Sequence, residues 1–99
     1  MNYEIVTTET FRRWLSKVKD RQARKAIAMR LTRAEAGNLG DVKSVGGAVS
    51  EMRVFVGKGY RIYFTLREGR LVILLCGGDK STQAKDIQKA KEILNNLEE

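Results

Sequence analysis

The chain has 99 residues, of which 42% are hydrophobic and 31% charged, and these proportions are typical of a globular domain rather than of a disordered chain. We therefore expect residues 1–99 to form a single domain. Nineteen Lys and Arg residues against twelve Asp and Glu residues leave a net charge of +7, which favours an anionic partner such as nucleic acid, a membrane surface or an acidic protein.

Two residue counts exclude whole classes of site. The chain has no His, so mechanisms that use an imidazole as a base or as a metal ligand are ruled out. Its one Cys, Cys76, allows neither an intramolecular disulfide nor a multi-thiolate metal site. Because Cys76 lies in an apolar run, we expect a buried, unreactive thiol, and we expect no metal or other cofactor. No apolar run approaches the roughly 20 residues of a membrane span, so we expect a cytoplasmic protein with no membrane partner.

The first third of the chain predicts one strand and two basic helices. Tyr3, Ile5 and Val6 indicate a short strand, and residues 7–9 offer N-cap candidates for the helix that follows. Apolar residues recur in that helix at the spacing of one buried stripe: Phe11, Trp14, Leu15 and Val18. Asp20 can cap a second helix. Its apolar stripe is Ala23, Ile27, Leu31 and Ala34.

The rest of the chain predicts three strands and a last helix. Glycines and Asn38 at residues 37–41 end the second helix, and we expect a loop from there to Gly47. The strands, at about 49–56, 60–66 and 71–76, are joined by tight connections and predict an antiparallel meander. Ser81 or Thr82 caps the last helix, whose apolar stripe is Ile87, Ala90, Ile93 or Leu94, and Leu97. The order β-α-α-β-β-β-α predicts an α+β fold with helices packed on one small antiparallel sheet.

Alternation along the strands predicts a cationic sheet face. The core-facing set is apolar: Met52, Val54, Val56, Ile62, Phe64 and Leu66. Arg53, Arg61 and Tyr63 point the other way, and guanidinium groups beside a ring suit a single-stranded nucleic acid, because they pair with phosphate and stack on bases. A solvated face with ion pairs between Glu51 and the arginines accounts for the same pattern.

Two further basic features allow a functional and a plainer interpretation. Lys80 lies between a strand end and a helix start, where backbone N–H groups favour an anion, yet it also fits an exposed turn residue. The basic helical hairpin fits nucleic-acid binding, and it equally fits two helices with solvated charged faces.

Blocks spread over nearly the whole chain together resemble a known family. They are FRRWL (11–15) with AIAMRL (26–31), GNLGDVK (37–43) with GGAVSEMR (46–53), GYRIYF (59–64), and LLCGGDKSTQ (74–83). In this order they resemble the RelE/ParE toxin superfamily and, within it, the HigB-like addiction module killer proteins. The resemblance implies a RelE-like fold and the toxin of a type II toxin–antitoxin module.

The resemblance also implies an activity and its partners. RelE-like members are ribosome-dependent endoribonucleases that cut mRNA, whereas ParE-like members share the fold and poison DNA gyrase. We therefore expect an endoribonuclease that inhibits translation, with the ribosome and mRNA as partners. A gyrase poison or a catalytically degenerate antitoxin-binding module is the alternative. The cognate antitoxin implied by the resemblance is usually a helix-turn-helix DNA-binding protein.

The resemblance assigns site residues as well. Catalytic arginines of the family lie in strands that match Arg53 and Arg61, and Lys80 matches a basic position after the last strand. Lys58 is a candidate helper, because a lysine among several cations can act as a base. The expected substrate-binding residues are Lys58, Tyr60, Tyr63 and Gln83.

The chain departs from the family pattern in one respect. Many RelE-like toxins carry a tyrosine after the last strand, and some HigB proteins carry a His, but residues 84–87 here contain neither. Either Tyr60 or Tyr63 then takes over the role of that tyrosine, or Gln83 and Asp86 serve a different arrangement.

Overall fold

The computed structural model describes residues 2–97 of the chain. Within that range it is an α+β fold of three α-helices and five strands. The elements are β1 (Glu4–Thr7), α1 (Glu9–Lys17), α2 (Arg21–Glu35), β2 (Val42–Gly46), β3 (Val49–Val54), β4 (Tyr60–Arg67), β5 (Leu71–Gly78), a short 3-10 turn (Lys80–Thr82) and α3 (Gln83–Leu97). The α+β class is as predicted, with one strand more than expected.

The described strands form one sheet in the order β1-β5-β4-β3-β2. Strands β2 to β5 pair antiparallel with their neighbours in sequence, as expected of a meander. Strand β1, however, pairs parallel with β5, with Glu4 opposite Leu71. The prediction of a wholly antiparallel sheet is therefore wrong at this edge. Strands that are joined by a short turn are expected to pair antiparallel. Two helices and three strands lie between β1 and β5 in the chain, so this expectation does not apply to them.

Strand β2 lies where the sequence predicts a loop. Its Val42 pairs with Met52 and its Lys43 with Glu51, at the edge of the sheet opposite β1. Four of its five residues are exposed. An exposed edge strand carries no apolar alternation, which is why the hydrophobic pattern did not predict it.

Helices cover both faces of the sheet. On one face α1 and α2 pack on a core that includes Phe11, Ile27, Met52, Ile62, Phe64 and Leu74. On the other face α3 packs, through Ala90 and Leu94, on a second core that includes Val49, Tyr63, Ile73, Leu75 and Cys76. Strand β5 is buried on both faces, as predicted for a central strand. The opposite face of the sheet is not the open surface that strand alternation suggested.

The helix starts agree with two of the three predicted caps. The Thr8 hydroxyl accepts a hydrogen bond from the Phe11 N–H at 3.1 Å, and the Asp20 carboxylate caps α2. Before α3, Asp79 caps the 3-10 turn Lys80–Thr82, so the turn that leads into this helix begins earlier than the predicted Ser81 or Thr82. Two residues predicted for the core lie near the ends of their elements and are exposed: Leu66 and Leu97. Among residues 2–97, no helix is both long and apolar enough to cross a membrane.

Candidate functional site

An open pocket of about 330 Å³ lies at the connection between β3 and β4. Gly59, at φ +76°, lies where two walls of this pocket, those that carry Lys80 and Arg61, come close together. A Cβ at Gly59 would lie 3.6 Å from the Lys80 Cβ and 3.9 Å from the Arg61 Nη1. Four cationic side chains line this cavity, which we call the cationic pocket: Arg53, Lys58 and Arg61 from β3, β4 and their connection, and Lys80 from the turn before α3. The structure therefore brings together the three residues predicted to be catalytic and the predicted helper lysine.

The Arg61 side chain is fixed against the wall of the cationic pocket. Its Nε lies 3.5 Å from Oε1 of Glu51, and its Nη1 donates a hydrogen bond to the Gly59 carbonyl at 3.2 Å. Only 13% of the side chain is exposed. A guanidinium held in this way is already oriented before any anion binds, so little conformational entropy is lost on binding.

Glu51 is the buried carboxylate that orients Arg61. It is 2% exposed, and its Oε1 also accepts a hydrogen bond from Gln83 Nε2 at 2.9 Å. Gln83, predicted to bind substrate, thus donates to Glu51 instead and does not line the cationic pocket. A chain of contacts from α3 through β3 to β4 therefore places the Arg61 guanidinium.

Arg53 is oriented by a different set of groups. Its Nη2 donates to Asp41 Oδ1 at 3.0 Å, and its guanidinium lies 5.8 Å from the centre of the Phe55 ring. Phe55 is 74% exposed and lines the same pocket. The sequence did not single out Phe55 as a site residue. The sequence does contain a signal for it: Phe55 is an aromatic residue on the polar face of the predicted strand, next to the connection to the following strand.

Neither predicted tyrosine offers a free ring to the solvent. Tyr63 is fully buried beneath α3, so the expectation that it faces outward is wrong. Burial raises the pKa of the Tyr63 hydroxyl, and the nearby Glu51 charge raises it further. Tyr60 is 9% exposed and packs against Trp14, with ring centres 6.4 Å apart. Tyr60 lines the cationic pocket, whereas Tyr63 does not.

The two lysines of the pocket are exposed, and an acidic residue lies near them. Lys58, Lys80 and Asp79 also line a shallow depression beside the cationic pocket. The Ser81 hydroxyl and N–H donate to Asp79 at 2.5 and 2.8 Å, and these bonds, together with the Lys58 charge, lower the pKa of Asp79. Asp79 thus caps the turn and also lies close enough to Lys58 to interact with its charge.

Asp86 and Cys76 lie away from the cationic pocket. Asp86 accepts a hydrogen bond from the Thr82 hydroxyl at 2.5 Å, within the first turns of the last helix. Cys76 is 1% exposed, and burial raises its pKa to about 12, so the prediction of a buried thiol is confirmed. Among residues 2–97, no three His, Cys, Asp or Glu side chains are grouped so that they could hold a metal ion.

The arrangement of helices and strands is that of a known class of toxin fold. The structure matches a double arginine-to-alanine mutant of the E. coli toxin RelE, solved in the free state, with a TM-score of 0.70. The match covers 92% of this chain and 95% of the other, at 17% sequence identity. At that identity the match shows the fold, and it confirms the predicted RelE-like architecture.

Sequence comparison shows the family. Residues 13–97 match the family described as "Phage derived protein Gp49-like (DUF891)", and the chain belongs to this family. A relative from Haemophilus influenzae, named only as an uncharacterized protein, is 50% identical over 97 residues, which is 98% of each chain. Family and fold together confirm the predicted RelE-like toxin superfamily. They indicate a toxin of the toxin–antitoxin type, for which an antitoxin is the general kind of partner.

Proposed function

We propose that the chain is a HigB-like toxin of a type II module and that it cleaves mRNA on the translating ribosome. The observation that carries this proposal is the convergence of four cationic side chains on one open pocket. Two of them, Arg53 and Arg61, are held in place by acidic partners. A site with preset positive charge suits a reaction in which a phosphate gains negative charge.

RNA carries its own nucleophile for such a reaction. The 2′-oxygen attacks the adjacent phosphorus after losing its proton to a base, and the 5′-oxygen leaves with a proton from an acid. The products are a 2′,3′-cyclic phosphate and a 5′-hydroxyl end. Because charge builds on the non-bridging oxygens in the transition state, each well-placed donor contributes on the order of 3 kcal/mol.

The geometry suggests a role for each residue of the pocket. Arg61 binds the scissile phosphate, since it is the more buried guanidinium and its carboxylate partner, Glu51, is buried as well. Arg53 binds the same or the adjacent phosphate, and the exposed ring of Phe55 beside it supports a base. We assign the two proton transfers to Lys58 and Lys80, because both lie at the pocket mouth.

Induced expression with mapping of RNA 5′ ends tests the proposal. Wild-type protein should arrest growth and produce cuts within translated mRNA. Arg61→Ala should reduce cleavage by about 10²–10³-fold, and Arg53→Ala should also reduce it. Arg70→Ala is the matched control, since Arg70 is an exposed arginine in the connection between β4 and β5.

Other outcomes would replace the proposal. If the Arg53 and Arg61 variants both cleave like the wild type, the assigned site is wrong. Double-strand DNA breaks with intact mRNA would identify a gyrase poison instead. Expression without toxicity, together with tight antitoxin binding, would identify a catalytically degenerate binding module.

A further inference from the structure

A second groove, of about 600 Å³, runs on from the cationic pocket towards the corner between α1 and α2. Gly57, Lys58 and Tyr60 line both cavities, so the two form one continuous surface. The far wall of the second groove includes Trp14, and we call it the Trp14 groove. Of the residues that line it, only Lys58 has a role in the proposed cleavage.

Trp14 gives this groove a rigid aromatic wall. The indole is half-buried, 5.7 Å from the Phe11 ring centre and 6.4 Å from that of Tyr60. It also lies against the backbone of Gly77, where a Cβ would come within 2.3 Å of the indole Cε3. The ring is therefore held in place before anything binds, and such a preset ring favours stacking of a planar group.

Three lysines reach the Trp14 groove from two sides. Lys17 and Lys19 lie at the end of α1 and just beyond it, and Lys58 lies on the facing connection. Two carboxylates line the groove as well, but each is engaged as a cap. The Asp20 carboxylate accepts hydrogen bonds from the N–H groups at the start of α2, and Asp79 accepts them from Ser81. Three lysines against two carboxylates leave the lining of the groove with a net charge of +1.

We propose that the Trp14 groove is a second nucleotide subsite. It would bind the nucleotide next to the scissile phosphate, with the base against Trp14 and the phosphate beside Lys17 and Lys19. This inference rests on the proposed function, because a single strand would then occupy both cavities. A fixed aromatic ring beside several ammonium groups is the combination that binds single-stranded nucleic acid with little sequence preference.

The groove contains its own reporter, because Trp14 is the one tryptophan of the chain. The probe is a short RNA strand with 2′-O-methyl groups, which lacks the nucleophile and cannot be cut. Titration should quench the tryptophan emission saturably, with a Kd on the order of 10⁻⁵ M, as expected of non-specific nucleic-acid binding. A labelled copy of the same strand gives the Kd independently by fluorescence anisotropy.

Charge reversal locates the binding site. Lys17→Glu combined with Lys19→Glu should weaken binding at least tenfold, and should lower the slope of log K against log salt by about 0.7, the value expected for the loss of one phosphate contact. Lys43→Glu combined with Lys89→Glu changes the net charge equally, at exposed positions on β2 and α3. This control pair should bind within about twofold of the wild type. Circular dichroism confirms that both variants are folded.

The same samples separate this inference from the proposed function. Absence of quenching, or equal weakening by the two charge-reversal pairs, overturns the subsite even if the protein cleaves translated mRNA. If quenching is lost in the Lys17/Lys19 variant and kept in the control variant, the groove is supported as a nucleic-acid site. If mRNA nevertheless stays intact in cells, the proposed ribonuclease activity is wrong and the binding site stands.

Discussion

The carboxylate of Glu51 lies 3.5 Å from the Nε of Arg61, and the two side chains are 2% and 13% exposed. Gln83 donates to the same carboxylate oxygen at 2.9 Å, so Glu51 is held from two sides. A buried carboxylate with these contacts has little freedom to move. It therefore fixes the position of the Arg61 guanidinium, and Glu51 is a positioning residue for Arg61.

Glu51→Gln tests this relationship. The substitution keeps the shape of the side chain and an oxygen for Gln83, but removes the negative charge beside Arg61. We expect the free energy of unfolding to fall by about 1–3 kcal/mol, because a largely buried charge loses its partner. Cleavage by the folded variant should also slow, with kcat affected more than KM. Urea unfolding followed by Trp14 fluorescence measures the first effect, and steady-state cleavage kinetics measure the second.

Glu92→Gln is the matched control, since Glu92 is exposed on α3. It should change neither stability nor cleavage. A purely structural role for Glu51 would lower stability while leaving kcat per folded molecule at the wild-type value. That result would contradict the positioning role.

The sequence predicted the elements of the fold better than it predicted their surroundings. Strand β5 was predictable because its residues are apolar on both faces, as a central strand requires. Strand β2 was not, because its exposed residues carry no alternation. Alternation also placed Tyr63 on the face opposite the first core, but it cannot distinguish solvent from a covering helix, and α3 covers that face.

The site was predictable only in part, for a related reason. Arg53 and Arg61 could be placed on one face by parity, and the structure pairs them directly across β3 and β4. The approach of Lys80 depends on how β5 turns into α3, which no spacing in the sequence reveals. The contact between Gln83 and Glu51 likewise joins elements far apart in the chain, so the sequence did not predict that this side chain donates to a buried carboxylate.

The buried Tyr63 hydroxyl has no hydrogen-bond partner among the described residues. Removing it leaves no other group unsatisfied, so we expect Tyr63→Phe to leave the free energy of unfolding unchanged or to raise it by up to about 1 kcal/mol. Cleavage should also be unchanged, because the ring does not line the cationic pocket. Tyr63→Ala, in contrast, should destabilise by about 3–5 kcal/mol through the cavity it leaves. Loss of cleavage in a folded Tyr63→Phe protein would show that the hydroxyl takes part in the reaction.

Burial of Cys76 makes the stability of the folded protein fall at alkaline pH. Its pKa rises from an ordinary value near 9 to about 12, because burial disfavours the thiolate and the Asp86 charge adds to this. The folded protein therefore keeps a proton that the unfolded chain releases. This stabilisation is fully present below pH 9 and is lost as the pH rises towards 12. Urea midpoints measured across that range should fall with pH.

The Tyr63 pKa is shifted in the same direction, so two groups contribute to the alkaline loss of stability. Cys76→Ala should make the fall of the urea midpoint with pH less steep, and Tyr63→Phe should do the same at higher pH. A thiol reagent should react with the native protein far more slowly than with the unfolded chain. A fast native reaction, or a pH slope that Cys76→Ala does not change, would place the thiol in solvent.

Gly77 controls the position of Trp14. A Cβ at residue 77 would lie 2.3 Å from the indole Cε3, and the ring cannot give way easily because Phe11 and Tyr60 pack against it. We expect Gly77→Ala to cost about 1–3 kcal/mol in urea unfolding, to shift the tryptophan emission and to weaken oligonucleotide binding. Gly69→Ala is the control, because no other part of the described chain lies within 4 Å of its Cβ position and only the strain of φ +69° remains, about 1 kcal/mol. Wild-type stability and emission in Gly77→Ala would mean that the indole does not rest on β5, and the wall of the Trp14 groove would then have to be formed by another side chain.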